Sequence, residues 1–400
     1  MSVIYVFFDK RYLLFLTMKY LFFSGILFLS YSLNTFGQSG FFNHNSLQTH
    51  FYAGKIVKNY PVFPKSGLSS LIAFSWQRQT KKTWASYYGY PKFGMAVVLG
   101  DFGNSNELGN VVGLMPEMIF TIRKTRKIPI HLTLGWGYGY WTKKYDAITN
   151  PNNMAIGSSI TNMAFFSATM PISLSEQIRM NLGISTTHFS NGHYRMPNNG
   201  INIPSVVVGI NFGNDTIQPK PESEKFIFSK WQYLFQAGSG LHDFGDGSKP
   251  IGGPLYPVYA FTSGITRQIN HSGKIHTGLY VNYYTDFYDY VMEKQLFRGK
   301  ETSYALTGSI YLGYEFIFGK FSMMVESGWY VWNPFYKYYK DIQGQKDFKT
   351  TLKKYINNKM GFQYYPFAKN GRLKGLYLGT YIRANFGQAD FTEYAAGIVF

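Results

Sequence analysis

His131-Leu132-Thr133-Leu134-Gly135-Trp136-Gly137-Tyr138-Gly139-Tyr140-Trp141 alternates without a break. In an extended chain Leu132, Leu134, Trp136, Tyr138 and Tyr140 share one face, and His131, Thr133, Gly135, Gly137 and Gly139 share the other. Large apolar and aromatic groups stand opposite small or polar ones. A strand of a soluble sandwich also alternates, but its apolar face is rarely matched by a glycine-lined one. A strand crossing a bilayer shows this dyad pattern, with lipid on one side and a barrel interior on the other.

Similar runs recur at 48–57, 68–79, 90–101, 110–123, 128–142, 158–171, 175–190 and 201–213, and eight more are expected between 226 and 400. An even strand count suits a bacterial outer-membrane barrel. At the end of the chain Tyr394, Ala396, Ile398 and Phe400 share a face, and a last strand ending on Phe resembles the assembly signal of such barrels. The expected fold is therefore all-β, a transmembrane antiparallel barrel. Two arrangements are open: two tandem eight-stranded barrels, over 38–213 and 225–400, or one barrel of about 16 strands. The polar stretch 214–224, with Pro219 and Pro221, reads as a linker and favours the pair.

Composition agrees. Aromatic residues make up 19% and charged residues only 15% of the 400, against about 25% charged in soluble domains. Aromatic girdles at the two membrane interfaces account for the first figure. The absence of cysteine excludes a disulfide scaffold, thiolate metal sites and a cysteine nucleophile. Residues 1–37 read as a signal peptide: Lys19, an apolar core from Tyr20 to Leu33, then Thr35-Phe36-Gly37, with Met18 as an alternative start. Beyond it no run is long enough for a spanning helix. The formal charge is +18. Basic residues scattered among strand-like runs point to an anionic lipid surface rather than nucleic acid, or simply to solvated loops. No cofactor is expected, no metal-ligand spacing occurs, and the oligomeric state is left open.

The segment with chemistry in it is Thr187-His188-Phe189-Ser190-Asn191-Gly192, followed by Pro197-Asn198-Asn199-Gly200-Ile201-Asn202. His188 and Ser190 lie two apart, on one face of a strand and roughly 6–7 Å apart along it. Ile178, Met180, Leu182 and Ile184 share their parity and form the lipid-facing stripe. Arg179, Asn181, Ser185 and Thr187 take the lumen. An imidazole beside a hydroxyl at the membrane rim suits a nucleophile acting on a lipid. His-x-Ser alone is weak, since His44-Asn45-Ser46 has it too. The loop Lys143-Lys144-Tyr145-Asp146 through Asn153 reads as extracellular, either solvated or touching phosphate.

The longer string, His188-Phe189-Ser190-Asn191 with Pro197-Asn198 and Gly200-Ile201 at their offsets, resembles the lipid A 3-O-deacylases (PagL-type), outer-membrane barrels that hydrolyse an acyl ester of lipopolysaccharide. The resemblance covers residues 46–213, most strongly the last two strands. It implies His188 as base, Ser190 as nucleophile, and Asn191 or Asn198 as support for the oxyanion. The family's acidic residue falls at Asn202, where this chain has an amide. Asn202 shares parity with Val206, Val208, Ile210 and Phe212, and so faces outward beside the pair. In a serine triad, replacing the acid by Asn costs about 10⁴ in turnover.

The halves also look related. Leu182-Gly183 through Ser190 can be laid on Leu378-Gly379 through Phe386, which puts Ala384 opposite His188 and Phe386 opposite Ser190. On that alignment the second half is catalytically dead. The expected function is an outer-membrane serine esterase acting on lipid A or a related outer-leaflet lipid of a Gram-negative cell. The alternative is a weak or inactive barrel serving as porin, lipid-binding scaffold or adhesin.

Overall fold

A computed structural model describes residues 45–122, 129–213, 226–243, 253–367 and 375–400. The expected signal segment and the linker 214–224 lie outside the described residues. The chain divides into two compact units, Met1–Ser190 with Asn199–Lys220, and Asn191–Asn198 with Pro221–Phe400.

In the first unit β1 (Asn45–Gly54), β2 (Ser69–Gln79), β3 (Lys92–Asp101), β4 (Asn110–Ile122), β5 (Ile130–Trp141), β6 (Ile160–Ser173), β7 (Ile178–Ser190) and β8 (Ile201–Phe212) form a closed antiparallel barrel. It closes by pairing β1 with β8, from Leu47↔Phe212 to Gly54↔Ser205. A short helix α1 (Thr83–Ser86) interrupts the β2–β3 connection. The first strand was expected at 48–57, three residues late. Alternation continues past Gly54 because Ile56 is buried, and Val57 N–H still bonds Asn202 O at 2.9 Å, but the ladder itself stops at Gly54.

The pattern of β5 is realised as written. Leu134, Tyr138 and Tyr140 are exposed on the outside, while His131, Gly137 and Gly139 are buried. The glycine face has a packing cause. A Cβ on Gly139 would lie 2.8 Å from Val111 Cγ2, and one on Gly135 would lie 2.5 Å from Met115 Sδ. Side chains from neighbouring strands cross the lumen over these bare backbones, as the narrow bore of an eight-stranded barrel requires. Toward the rim, Phe102 stacks on Trp141 at 4.6 Å and Phe189 meets Trp141 edge-on at 5.1 Å. Deeper, the lumen is polar: Gln77 Nε2 donates to Gln48 Oε1 at 3.0 Å and to Glu117 Oε1 at 2.7 Å.

In the second unit β9 (Gln232–His242), β10 (Tyr256–Asn270), β11 (Gly273–Tyr284), β12 (Leu306–Phe318), β13 (Phe321–Trp332), β14 (Ile356–Tyr364), β15 (Leu376–Asn385) and β16 (Gln388–Val399) close a second barrel by pairing β16 with β9. Two eight-stranded barrels, not one of sixteen, are therefore the architecture. Helices α2 (Thr285–Glu293) and α3 (Glu301–Ala305) join β11 to β12, and α4 (Pro334–Ile342) and α5 (Phe348–Tyr355) join β13 to β14. Strand parity did not anticipate them. They are held by aromatics at helical spacing: Phe335 and Tyr339 sit four apart, and Phe335 stacks on Phe287 at 4.3 Å. Among the described residues no helix is long and apolar enough to cross a membrane.

Candidate active site at the rim of the first barrel

Phe189 decides where its neighbours point. It is fully buried in the aromatic cluster beneath the rim. Alternation then turns His188 and Ser190 outward, where Ile184 is 64% exposed on the same face. On β8, Ile201 and Ile203 are fully buried and turn Asn202 out in the same way, in line with Val206. Three inward anchors thus aim three polar side chains at the lipid face.

The register brings them together. His188 lies directly across the ladder from Asn202, at the close cross-strand spacing that lets side chains touch. His188 Nδ1 is 2.8 Å from Asn202 Oδ1, and His188 Nε2 is 2.9 Å from Ser190 Oγ. The amide oxygen can only accept, so Nδ1 carries the ring proton and donates it to Asn202. Nε2 is left to accept from the Ser190 hydroxyl. That is the tautomer a general base needs. What the amide lacks is negative charge to stabilise the imidazolium once Nε2 takes a proton.

Gly200, quoted in the sequence motif but given no role there, forms a wall of this site. It adopts φ +71°, and a Cβ there would sit 3.1 Å from His188 Cε1 and 3.5 Å from Ser190 Cβ. Its backbone is clamped from two sides. Gly200 N–H donates to Ala155 O at 3.0 Å, and Asn59 Nδ2 donates to Asn199 O at 2.5 Å and to Gly200 O at 3.3 Å. Tyr60 adds a bond from its hydroxyl to Asn152 O at 3.0 Å. Burial pushes the Tyr60 phenol up to about 12, so it stays a donor.

The other expected residues have different surroundings. Asn191 is buried, with its Nδ2 donating to Arg195 O at 2.6 Å and its Oδ1 accepting from His193 N–H at 3.0 Å. Asn198 Oδ1 accepts the Asn191 N–H at 2.9 Å. Both amides shape the segment Asn191–Asn198. In the loop that follows β5, Lys143 and Lys144 are exposed. Asp146 braces that loop by accepting from Thr149 N–H at 2.7 Å and Ile148 N–H at 3.0 Å, which holds its carboxyl below the usual range.

Two neighbours escaped the sequence reading because hairpin register cannot be counted across a loop of unknown path. Ala164 pairs with His188, and Asn162 pairs with Ser190.

With this geometry in view, residues 71–211 match the family model described as lipid A 3-O-deacylase (PagL). The first barrel is similar to that family. The match ends within β8, and the second barrel lies outside it. A crystal structure of the outer-membrane enzyme PagL aligns with 40% of this chain and 97% of its own at 16% identity, with a TM-score of 0.31. A Rhodopseudomonas blastica porin variant aligns with 89% of this chain and 99% of its own at 8% identity, with a TM-score of 0.18. Neither superposition is close enough to bear on function. No curated protein matches the chain. Fold and family match together mark the chain as a Gram-negative outer-membrane β-barrel.

Proposed function

We propose that the first barrel is a lipid A deacylase that works as a serine esterase. Ser190 Oγ adds to the ester carbonyl carbon while its proton passes to His188 Nε2. The carbonyl π pair moves onto oxygen. Collapse of the tetrahedral intermediate breaks the bond to the alcohol oxygen, which takes the proton back from Nε2 and leaves an acyl-Ser190 ester. Water, deprotonated by the same nitrogen, releases the fatty acid and restores the hydroxyl. Asn202 holds the ring in register and tautomer. Asn198 or Asn191 supports the oxyanion, as the family likeness implies.

The carrying observation is the Ser190–His188–Asn202 hydrogen-bonded chain on the outward face at the strand end. A lumen-facing triad would meet a filled bore, whereas this one meets the bilayer. Exposed Ile184, Val206 and Phe166 line the same face below it and offer an acyl chain an apolar track. A non-catalytic, lipid-holding barrel is the second reading, and Asn202 in place of an acid favours it.

Mass spectrometry of lipid A from cells with and without the protein tests the choice. The full chain is expected to remove one ester-linked acyl mass. Ser190→Ala and His188→Ala are each expected to lower the deacylated fraction by ~10³-fold or more while folding normally. Neither truncation opens a core cavity, because both side chains face outward. Deacylation by Ser190→Ala at the parent level rules out the assignment.

A further inference from the structure

The hydrogen-bonded chain runs from Ser190 down β7 to His188 and then across to Asn202 on β8. The β6 side of Ser190 is occupied by Asn162, its direct ladder partner. Residues so paired hold their Cβ atoms about 4.5–5.5 Å apart, within reach of a carboxamide.

Asn162 is out of place on chemical grounds. Its own face of β6 also carries Ile160 and Phe166, 53% and 41% exposed, and its partner on β5 is Tyr138, 45% exposed. This is a lipid-facing row. Yet Asn162 is only 9% exposed, recessed between its neighbours. Among the described residues its amide makes no hydrogen bond to protein. An amide recessed in this way keeps its N–H donors open to an acceptor that binds beside Ser190.

We propose that Asn162 is a catalytic residue of this site: its Nδ2 donates to the ester carbonyl oxygen as that oxygen becomes an oxyanion. The inference rests on the serine-esterase reading above. With the base and its orienting amide on the β7–β8 side, the β6 side is where the carbonyl oxygen has room to turn. A donor fixed there is preorganised for the charge that develops in the transition state. Ala164, the next outward residue on β6, is small and leaves the approach open beside His188.

The test uses the full chain folded in detergent, p-nitrophenyl palmitate as substrate, and an alkyl fluorophosphonate whose serine adduct mimics the tetrahedral intermediate. Asn162→Ala is expected to lower kcat by ~10²-fold or more with KM little changed, and to slow phosphonylation in parallel. Asn162→Asp keeps the shape, removes the donor and adds a repelling charge, so it is expected to lose at least as much. Heat-modifiability on gels verifies folding, and if only one variant folds, that variant decides. If the parent is labelled at Ser190 and the folded variants stay within about threefold of it in both assays, the Asn162 proposal is overturned while the esterase stands. A loss confined to KM also overturns it. If the parent is not labelled, or Ser190→Ala is labelled equally, the esterase reading itself fails and takes this proposal with it.

Discussion

β7–β8 and β15–β16 are the seventh and eighth strands of their barrels, and their connections could hardly differ more. The segment 191–200 separates β7 from β8, and its last residue, Gly200, walls the site. β15 and β16 are joined by Phe386 and Gly387 alone, at φ 44° and 78°, between the paired Asn385 and Gln388. Positive φ at both positions is the mark of a tight type I′ hairpin. The lumens differ too. The second barrel pairs charges inside: Arg383 Nε to Glu393 Oε2 at 2.6 Å, Lys359 to Glu326 at 3.7 Å. Arg383 also lies over the Tyr280 ring at 4.3 Å. These groups pack across the bore and fill it, so the inward charges do not line an open pore. Alternation suffices to build either barrel. Chemistry on the lipid face requires more: polar residues at outward positions, and a connection long enough to wall them.

The largest change expected on that face is a gain. Asn202→Glu places a carboxylate against His188 Nδ1, where Asn202 Oδ1 now sits 2.8 Å away. The anion stabilises the imidazolium that forms when Ser190 attacks, which the amide does not. Turnover of p-nitrophenyl palmitate is expected to rise ~10²-fold, less than the full cost of an Asp-to-Asn change because the surroundings are fitted to the amide. A rate at or below the parent's would mean that the imidazolium is not what limits this site.

A smaller loss is expected at the wall. Gly200→Ala puts a methyl 3.1 Å from His188 Cε1 and 2.9 Å from Phe189 O at a residue with φ +71°. The backbone there is pinned by Ala155 O and Asn59, so the ring must yield. Small displacements of a catalytic group cost up to about 10²-fold, and a loss of ~10-fold in kcat is expected with the barrel still heat-modifiable. An unchanged kcat would show that the wall stands clear of the reacting groups.

Much of this was legible in one dimension. A period of two with a glycine-lined face on 131–141 specifies a membrane strand, and the same parity alone turns His188, Ser190 and Asn202 outward. Buried Phe189, Ile201 and Ile203 are the same signal seen from inside. Contacts between strands were not legible. Asn162 pairs with Ser190 only because the chain from β6 to β7 turns through 174–177 in one register, and a slip of one residue would reverse every face. The helices at 285–293 and 334–342 were hidden differently. Their aromatics read equally well as strand residues until Phe335 is found against Phe287 and Tyr290.

The comparison is most exposed to a transplant, for which no effect is expected. Ala384→His together with Phe386→Ser, made in a Ser190→Ala chain, rebuilds His-x-Ser where the halves align. Leu378, on the same strand face, is 55% exposed, so the outward direction is right. Three things are wrong. Phe386 lies in the turn at φ 44° rather than on a strand, so its side chain does not continue the ladder. The register shifts between Arg383 and Ala384, which pairs Ala384 with Ala389 on β16, so an imidazole there has no side-chain acceptor on the side where Asn202 serves His188; the amide across its other ladder, Asn358, is on β14. A two-residue turn also supplies no counterpart of Gly200. Without an acceptor on the β16 side the ring is not oriented as His188 is, and without strand spacing the hydroxyl is not held at Nε2. Turnover is therefore expected to stay at the Ser190→Ala background, and to stay there when Ala389→Asn is added. A rise above background in either chain would show that motif and parity are sufficient, and that the long connection after β7 contributes little to the chemistry at its end.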